Sequence, residues 1–107
     1  MALISLEEAK EYLRVDSADE DSLISSLLLS AEILAKNIGR LSDEEWEAVN
    51  DDPSEDDGTE LIQFRAAFRI AILYAVGYLF EHREEADHHG LVLTLRNLLF
   101  SVREGIL

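Results

Sequence analysis

Apolar residues recur at three- and four-residue intervals in four stretches of this 107-residue chain, and nowhere hold the strict alternation of a strand. The first stretch, Leu6 to Leu13, places Leu6, Ala9, Tyr12 and Leu13 on one face, and Ser5 with Glu8 has the spacing of a capping box. The second runs from about Glu20 to Ile38. There Leu23, Leu27, Leu34 and Ile38, with Ile24, Leu28, Ala31 and Ala35, form a wide stripe, and Ser25, Ser26, Ser30 and Lys36 lie largely off it. Asp19 or Asp21 is the expected N-cap, and Gly39 is the expected stop, in the left-handed conformation that glycine adopts without strain. The third stretch, about Glu60 to Glu85, is apolar nearly all round between Ala66 and Phe80. The fourth, about Leu91 to Glu104, is expected to bury Leu91, Leu95, Leu98 and Val102, to expose Thr94, Asn97 and Ser101, and to end at Gly105. The pattern predicts an all-α fold: a small bundle of about four helices forming a single domain over residues 1–107.

Between the second and third stretches the periodicity gives way to charge. Residues 42–60 hold ten acids and no base, and NDDPSEDDG (50–58) contains the only proline. Ser42 with Glu45 has capping-box spacing for a helical turn through Trp46 and Val49. Beyond that turn so much charge leaves little apolar surface to offset ordering entropy, so residues 41–59 are expected to form a mostly mobile acidic loop.

The third stretch raises two questions. Phe64 to Phe80 is 17 residues long and includes Arg65, Arg69 and Gly77, short and charged for a membrane span, so a bundle helix is the expected reading. A helix apolar on every side needs neighbours on every side, and four short helices do not supply them. Association between copies is therefore expected.

The formal charge of −14 is uneven: residues 1–60 hold 18 acids and 4 bases, residues 61–107 five of each. Phosphate binding needs Lys and Arg to displace counterions, so such a surface is expected to repel nucleic acid. The absence of cysteine excludes disulfides and thiolate metal or redox sites. The opening MALISLEEAK has neither the basic region nor the long apolar core of a signal peptide.

Candidate chemistry is sparse. His82, His88 and His89 lie near Glu81, Glu84 and Glu85, but no histidine pair has the i, i+4 spacing of a helical metal site. A calcium loop starting at Asp52 would need glycine at 57 and glutamate at 63, where the chain has Asp57 and Gln63. No nucleophile elbow or glycine-rich phosphate loop is present, and with 23 acids carboxylate pairs carry no information. Neither an enzyme nor a cofactor is expected. Trp46, Tyr12, Tyr74 and Tyr78 are expected as core or staple residues rather than on a stacking platform. For Arg65, Arg69, Arg83, Arg96 and Arg103 two readings stand: ordinary solvation and intrachain pairing, or pairing with the acidic half of an adjacent subunit.

The order of motifs resembles a known family. In AILYAVGYLFEHREEA (71–86) an apolar helix closes in Phe80-Glu81-His82-Arg83-Glu84, and a second helix closes in LLFSVR (98–103), with Leu98, Leu99 and Arg103. Upstream, AKEYLRVDSADEDSLISSLLLSAEILAKNIGR (9–40) has a short helix, a Leu-Arg-hydrophobic-Asp turn at Leu13 to Asp16, an acidic patch and a long helix. Together these resemble the gp6-like head–tail connector proteins of tailed bacteriophages, often labelled DNA-packaging proteins. About four fifths of the chain is covered, with 41–60 the exception. His82 stands where asparagine is usual, and His89-Gly90-Leu91 where a Leu-Pro pair is typical. The resemblance implies a cyclic homo-oligomer at the virion head–tail joint, assembled from host cytoplasm, with the portal protein above and a tail-side connector or stopper below. It implies no catalytic residue, no sequence-specific nucleic-acid binding and no membrane. Its motif positions, Arg14, Asp16, Phe80, Glu81, Arg83, Glu84, Leu98, Leu99 and Arg103, are candidates for the oligomer or portal interface. Arg69 joins them because it interrupts an apolar helix and needs a partner. The rival expectation is an acidic protein-binding module or DNA mimic, monomeric or dimeric.

Overall fold

The computed structural model describes residues 3–51, 54–82 and 89–106, with the side chains of 101–106 outside the description. Helices are the only regular elements among the described residues: α1 (Leu6–Leu13), α2 (Asp21–Ile38), α3 (Asp43–Asn50), α4 (Thr59–Glu81) and α5 (His89–Ile106). The all-α expectation holds, with five helices where about four were expected.

The additional helix is α3, and a second capping box starts it. Ser42 Oγ accepts from the Glu45 N–H at 3.1 Å and Glu45 Oε1 from the Ser42 N–H at 3.0 Å, as Ser5 and Glu8 do for α1. Charge and burial coexist here because they occupy different faces. Asp43, Glu44 and Glu47 are exposed, whereas Leu41 and Val49 are buried and Trp46 meets Phe68 edge-on at 6.2 Å. Composition averaged over the segment hides this two-sidedness.

Helix α1 and helix α2 end alike. Arg14 (φ 61°) and Arg40 (φ 56°) are the described non-glycine residues in the left-handed region. The Arg14 and Val15 N–H groups donate to the carbonyls of Glu11 and Lys10, and the Arg40 and Leu41 N–H groups to those of Asn37 and Lys36. In each case the following apolar residue, Val15 or Leu41, packs into or against the core. Gly39 is thus not the left-handed stop expected of it; its φ is −73°. Its role is space. A Cβ there would lie 2.6 Å from Cζ of the buried Phe68, so the ring rests directly on the backbone of α2.

Neither Asp19 nor Asp21 caps α2, which begins after Glu20 without a side-chain cap. Asp21 is engaged elsewhere: its enclosed Oδ1 lies 2.8 Å from Lys10 Nζ, an ion pair that ties α1 to the start of α2 and offsets lost hydration.

Helix α4 touches all four other helices. Ala67 is buried, and Phe68, Ala71, Ile72, Ala75 and Val76 form its core face, which joins Ile24, Leu28, Ala31 and Ala35 of α2 and Leu91, Leu95 and Leu99 of α5 in one cluster with Leu3, Ile4 and Ala9. Its length and apolar composition also suit a membrane span, but its core face is occupied by the bundle. It ends at Glu81 rather than Glu85, and residues 83–88 lie outside the description. Helix α5 starts two residues before the expected Leu91 and runs past Gly105 to Ile106. The row from Leu91 and Leu95 continues to Leu99, so Leu99 is the core residue and Leu98 is half-buried beside it. Ser101 and Val102 lie outside the side-chain description.

Candidate functional site

Three of the motif residues converge in space. The end of α1 lies across the C-terminal part of α4, and between them is a cleft of about 630 Å³ lined by Tyr12, Leu13, Arg14, Tyr74, Gly77, Tyr78, Phe80, Glu81 and His82. Arg14 is 66 and 67 residues from Phe80 and Glu81 in sequence, yet all three border this space. Arg14 also borders a shallower groove with Glu7, Lys10, Glu11, Val15 and Asp16, which places Asp16 on the same corner. The close approach depends on Gly77, where a Cβ would sit 3.0 Å from Tyr12 Cε2. Tyr78 stacks on His82 with ring centres 4.3 Å apart. Tyr12 and Tyr74 are exposed on the cleft, outside the core that was one of the two places expected for them. The one sequence signal for this arrangement was a glycine inside an otherwise apolar helix, which marks a close approach.

The other candidates distribute differently. Arg69 bonds Glu8 Oε2 and the Leu3 carbonyl, so its partners lie within the chain, and it fastens the N-terminal segment and α1 to α4. The hydrogen bond from Arg69, aided by its charge and by Ser5, holds the Glu8 carboxyl below the ordinary glutamate range against a desolvation penalty. Leu99 is core and Leu98 packs against it. Arg83 and Glu84 lie outside the described residues, and Arg103 lies on α5 with its side chain outside the description.

Arg65 has a role that sequence reasoning did not assign. Its guanidinium donates to the Ala48 and Val49 carbonyls at 3.3 and 3.2 Å and to Asp57 Oδ2 at 3.0 Å. It thereby caps the C-terminal end of α3, where helix carbonyls lack intrahelical donors. The Ser54 N–H, and then Arg65, keep the Asp57 carboxyl below the usual aspartate range.

A census of the described basic side chains sets Arg14 apart. Lys10, Lys36, Arg65 and Arg69 each hold a carboxylate, and Arg40 lies over the Phe100 ring at 5.6 Å. Arg14 and Arg96 have no ion pair or ring contact among the described residues. Arg14 moreover occupies a left-handed position that costs an L-residue roughly 1–2 kcal/mol and glycine little. Replacing Arg14 with glycine should therefore raise the unfolding free energy by about 0.5–1 kcal/mol, the gain being trimmed by glycine's greater freedom when unfolded. Urea denaturation measures this, and a clear loss of stability would mean that the Arg14 side chain supports the fold.

Chemically the described residues of the cleft offer aromatic faces, the Arg14 cation and the Glu81 carboxylate, an arrangement suited to holding a partner's side chains. Among the described residues no group of histidines and carboxylates is placed to hold a metal.

A family model for phage gp6-like head-tail connector proteins matches residues 3–107, and the chain belongs to that family. The match includes 41–60, for which the sequence motifs had offered no counterpart. No curated protein and no solved structure matches the chain. Membership makes this a phage head–tail connector protein of a structural family, associated with other head and tail proteins at the virion head–tail joint.

Proposed function

We propose that the chain is one subunit of a connector ring that docks under the portal and extends the DNA channel toward the tail, having assembled from the host cytoplasm. The observation carrying this reading is the family match over 3–107. The mechanism is associative: one surface meets the neighbouring subunit, another the portal, another a tail-side connector or stopper. The net charge of −14 supports a channel component past which DNA moves without adhering, because it repels phosphate. Sequence-specific DNA contact, membrane insertion, catalysis and a cofactor have no part in this reading.

The cleft of Tyr12, Arg14, Phe80 and Glu81 is the candidate portal or tail-side contact. The acidic-module reading, with a monomer or dimer imitating DNA, rests on the same charge, but the exposed apolar residues of α2 and α4 speak against it. Electron microscopy of the purified protein with and without its portal tests the proposal. Rings, alone or on the portal, are the expected result. A chain that stays monomeric or dimeric and never decorates the portal would overturn it.

A further inference from the structure

In a chain with so much charge, two helix faces have none among their exposed positions; Glu32 and Lys36 of α2 and Arg65 and Arg69 of α4 are half-buried beside them, and Lys36, Arg65 and Arg69 are already ion-paired. Every exposed residue of α2 is uncharged: Ser22, Ser25, Ser26, Leu29, Ser30, Ile33 and Asn37. Between Leu61 and Phe80, every exposed residue of α4 is uncharged as well: Ile62, Gln63, Ala66, Ile70 and Tyr74. The large apolar members are well exposed, Leu29 by 58% and Ile33 by 52% on α2, and Ile62 by 55% and Ile70 by 58% on α4. By contrast α1 exposes Glu7 and Glu11, α3 exposes Asp43, Glu44 and Glu47, and α5 exposes Arg96.

We propose that the α4 band of one copy packs on the α2 band of the next, and that this contact joins neighbouring subunits. The inference rests on the connector reading and adds to it the surfaces that meet. Three features select a second copy as the occupant. The first is charge. Two copies at −14 repel, and the like-charge penalty is least where the facing surfaces are uncharged.

The second is shape. Ile62, Ala66, Ile70 and Tyr74 form one i, i+4 row on α4; Ser25, Leu29, Ile33 and Asn37 form another on α2. Rows of this kind interdigitate when helices cross at about −50°. The small Ala66 leaves a notch between two isoleucines for Leu29 or Ile33, and the serines of α2 leave room for Ile62 and Ile70.

The third is direction. Helices α2 and α4 pack on each other through their opposite faces, so the two bands look out on different sides of the molecule. Joining unlike bands leaves one of each free at the ends of any chain of subunits, which is the heterologous contact that closes a ring. Pairing α4 with α4 would bury one band, stop at a dimer and leave Leu29 and Ile33 uncovered.

The test uses Ile33→Glu and Ile70→Glu, each in the full chain, sized by light scattering with and without the portal protein. Both positions are exposed, so helicity by circular dichroism should equal that of the unaltered protein. The unaltered protein should form large oligomers, alone or on the portal, and each variant alone should remain monomeric. Mixed, the two variants should give dimers and nothing larger, because one retains an intact α4 band and the other an intact α2 band.

A second measurement exploits the lack of native cysteine. Copies bearing Ile33→Cys and copies bearing Ile70→Cys should cross-link to each other in preference to themselves. Variants that assemble like the unaltered protein, or a mixture that stays monomeric, would overturn the assignment while the connector reading stands if the unaltered protein still binds the portal. A protein that neither assembles nor binds the portal would overturn both.

Discussion

Replacing Phe68 with alanine should lower the unfolding free energy by about 3–5 kcal/mol, a large share of the roughly 5–15 kcal/mol that holds a domain of this size folded. The ring is fully buried where three helices meet. It lies edge-on to Trp46 of α3 at 6.2 Å, beside Phe64 at 6.1 Å, and directly on the backbone at Gly39 after α2. Alanine would leave a cavity that these neighbours cannot all move to fill, because one of them is backbone. Urea unfolding should show a lower midpoint with an unchanged slope. A loss below about 1 kcal/mol would mean that the surroundings close over the gap and that the junction is much softer than its packing indicates.

Replacing Arg65 with alanine should act locally. The Ala48 and Val49 carbonyls would lose their donors, and an unsatisfied buried polar group costs about 1–3 kcal/mol. Asp57 would lose its cation at the same time. Because Arg65 joins α3 and the following turn to α4, the amides of α3 should exchange with deuterium about 5- to 160-fold faster, and those at the centre of α4 should change much less. Arg65→Lys should fall between, keeping the charge but not the three-way fork. Unchanged exchange in α3 would show that Leu41, Trp46 and Val49 hold that helix without help.

The sequence conveyed the helices well because their signals are local. The Ser5–Glu8 box and the stripe of α2 act within a few residues, so the start of α1 and the core face of α2 were readable from spacing. Several of its failures involve distance. Gly39 reads as a left-handed stop until Phe68, 29 positions away, is seen lying on it. Arg69 reads as an unpartnered cation until Glu8 is brought to it, and Tyr12 reads as a core or staple residue until Gly77 lets it lie exposed along α4. In α3 the difficulty was averaging: acids on one face obscured Leu41 and Val49 on the other. Of the candidate site, the motif residues were legible as a set, but their division into cleft (Arg14, Phe80, Glu81) and core (Leu99) was not. That division depends on how α1 and α5 dock on α4.

The Arg69 fastening also has a consequence in time. It joins residues separated by 61 and 66 positions, and Leu3 and Ile4 are buried beneath the same helix. During synthesis Leu3, Ile4 and α1 leave the ribosome before α4 and therefore have no place to settle until it follows. Contacts of such long sequence separation form late, since the chain between them must first be confined. Nascent chains halted before α4 should leave α1 open to protease, and chains extended beyond α4 should protect it. In the order of folding, the segment from Leu3 to Leu13 is among the last parts to be finished.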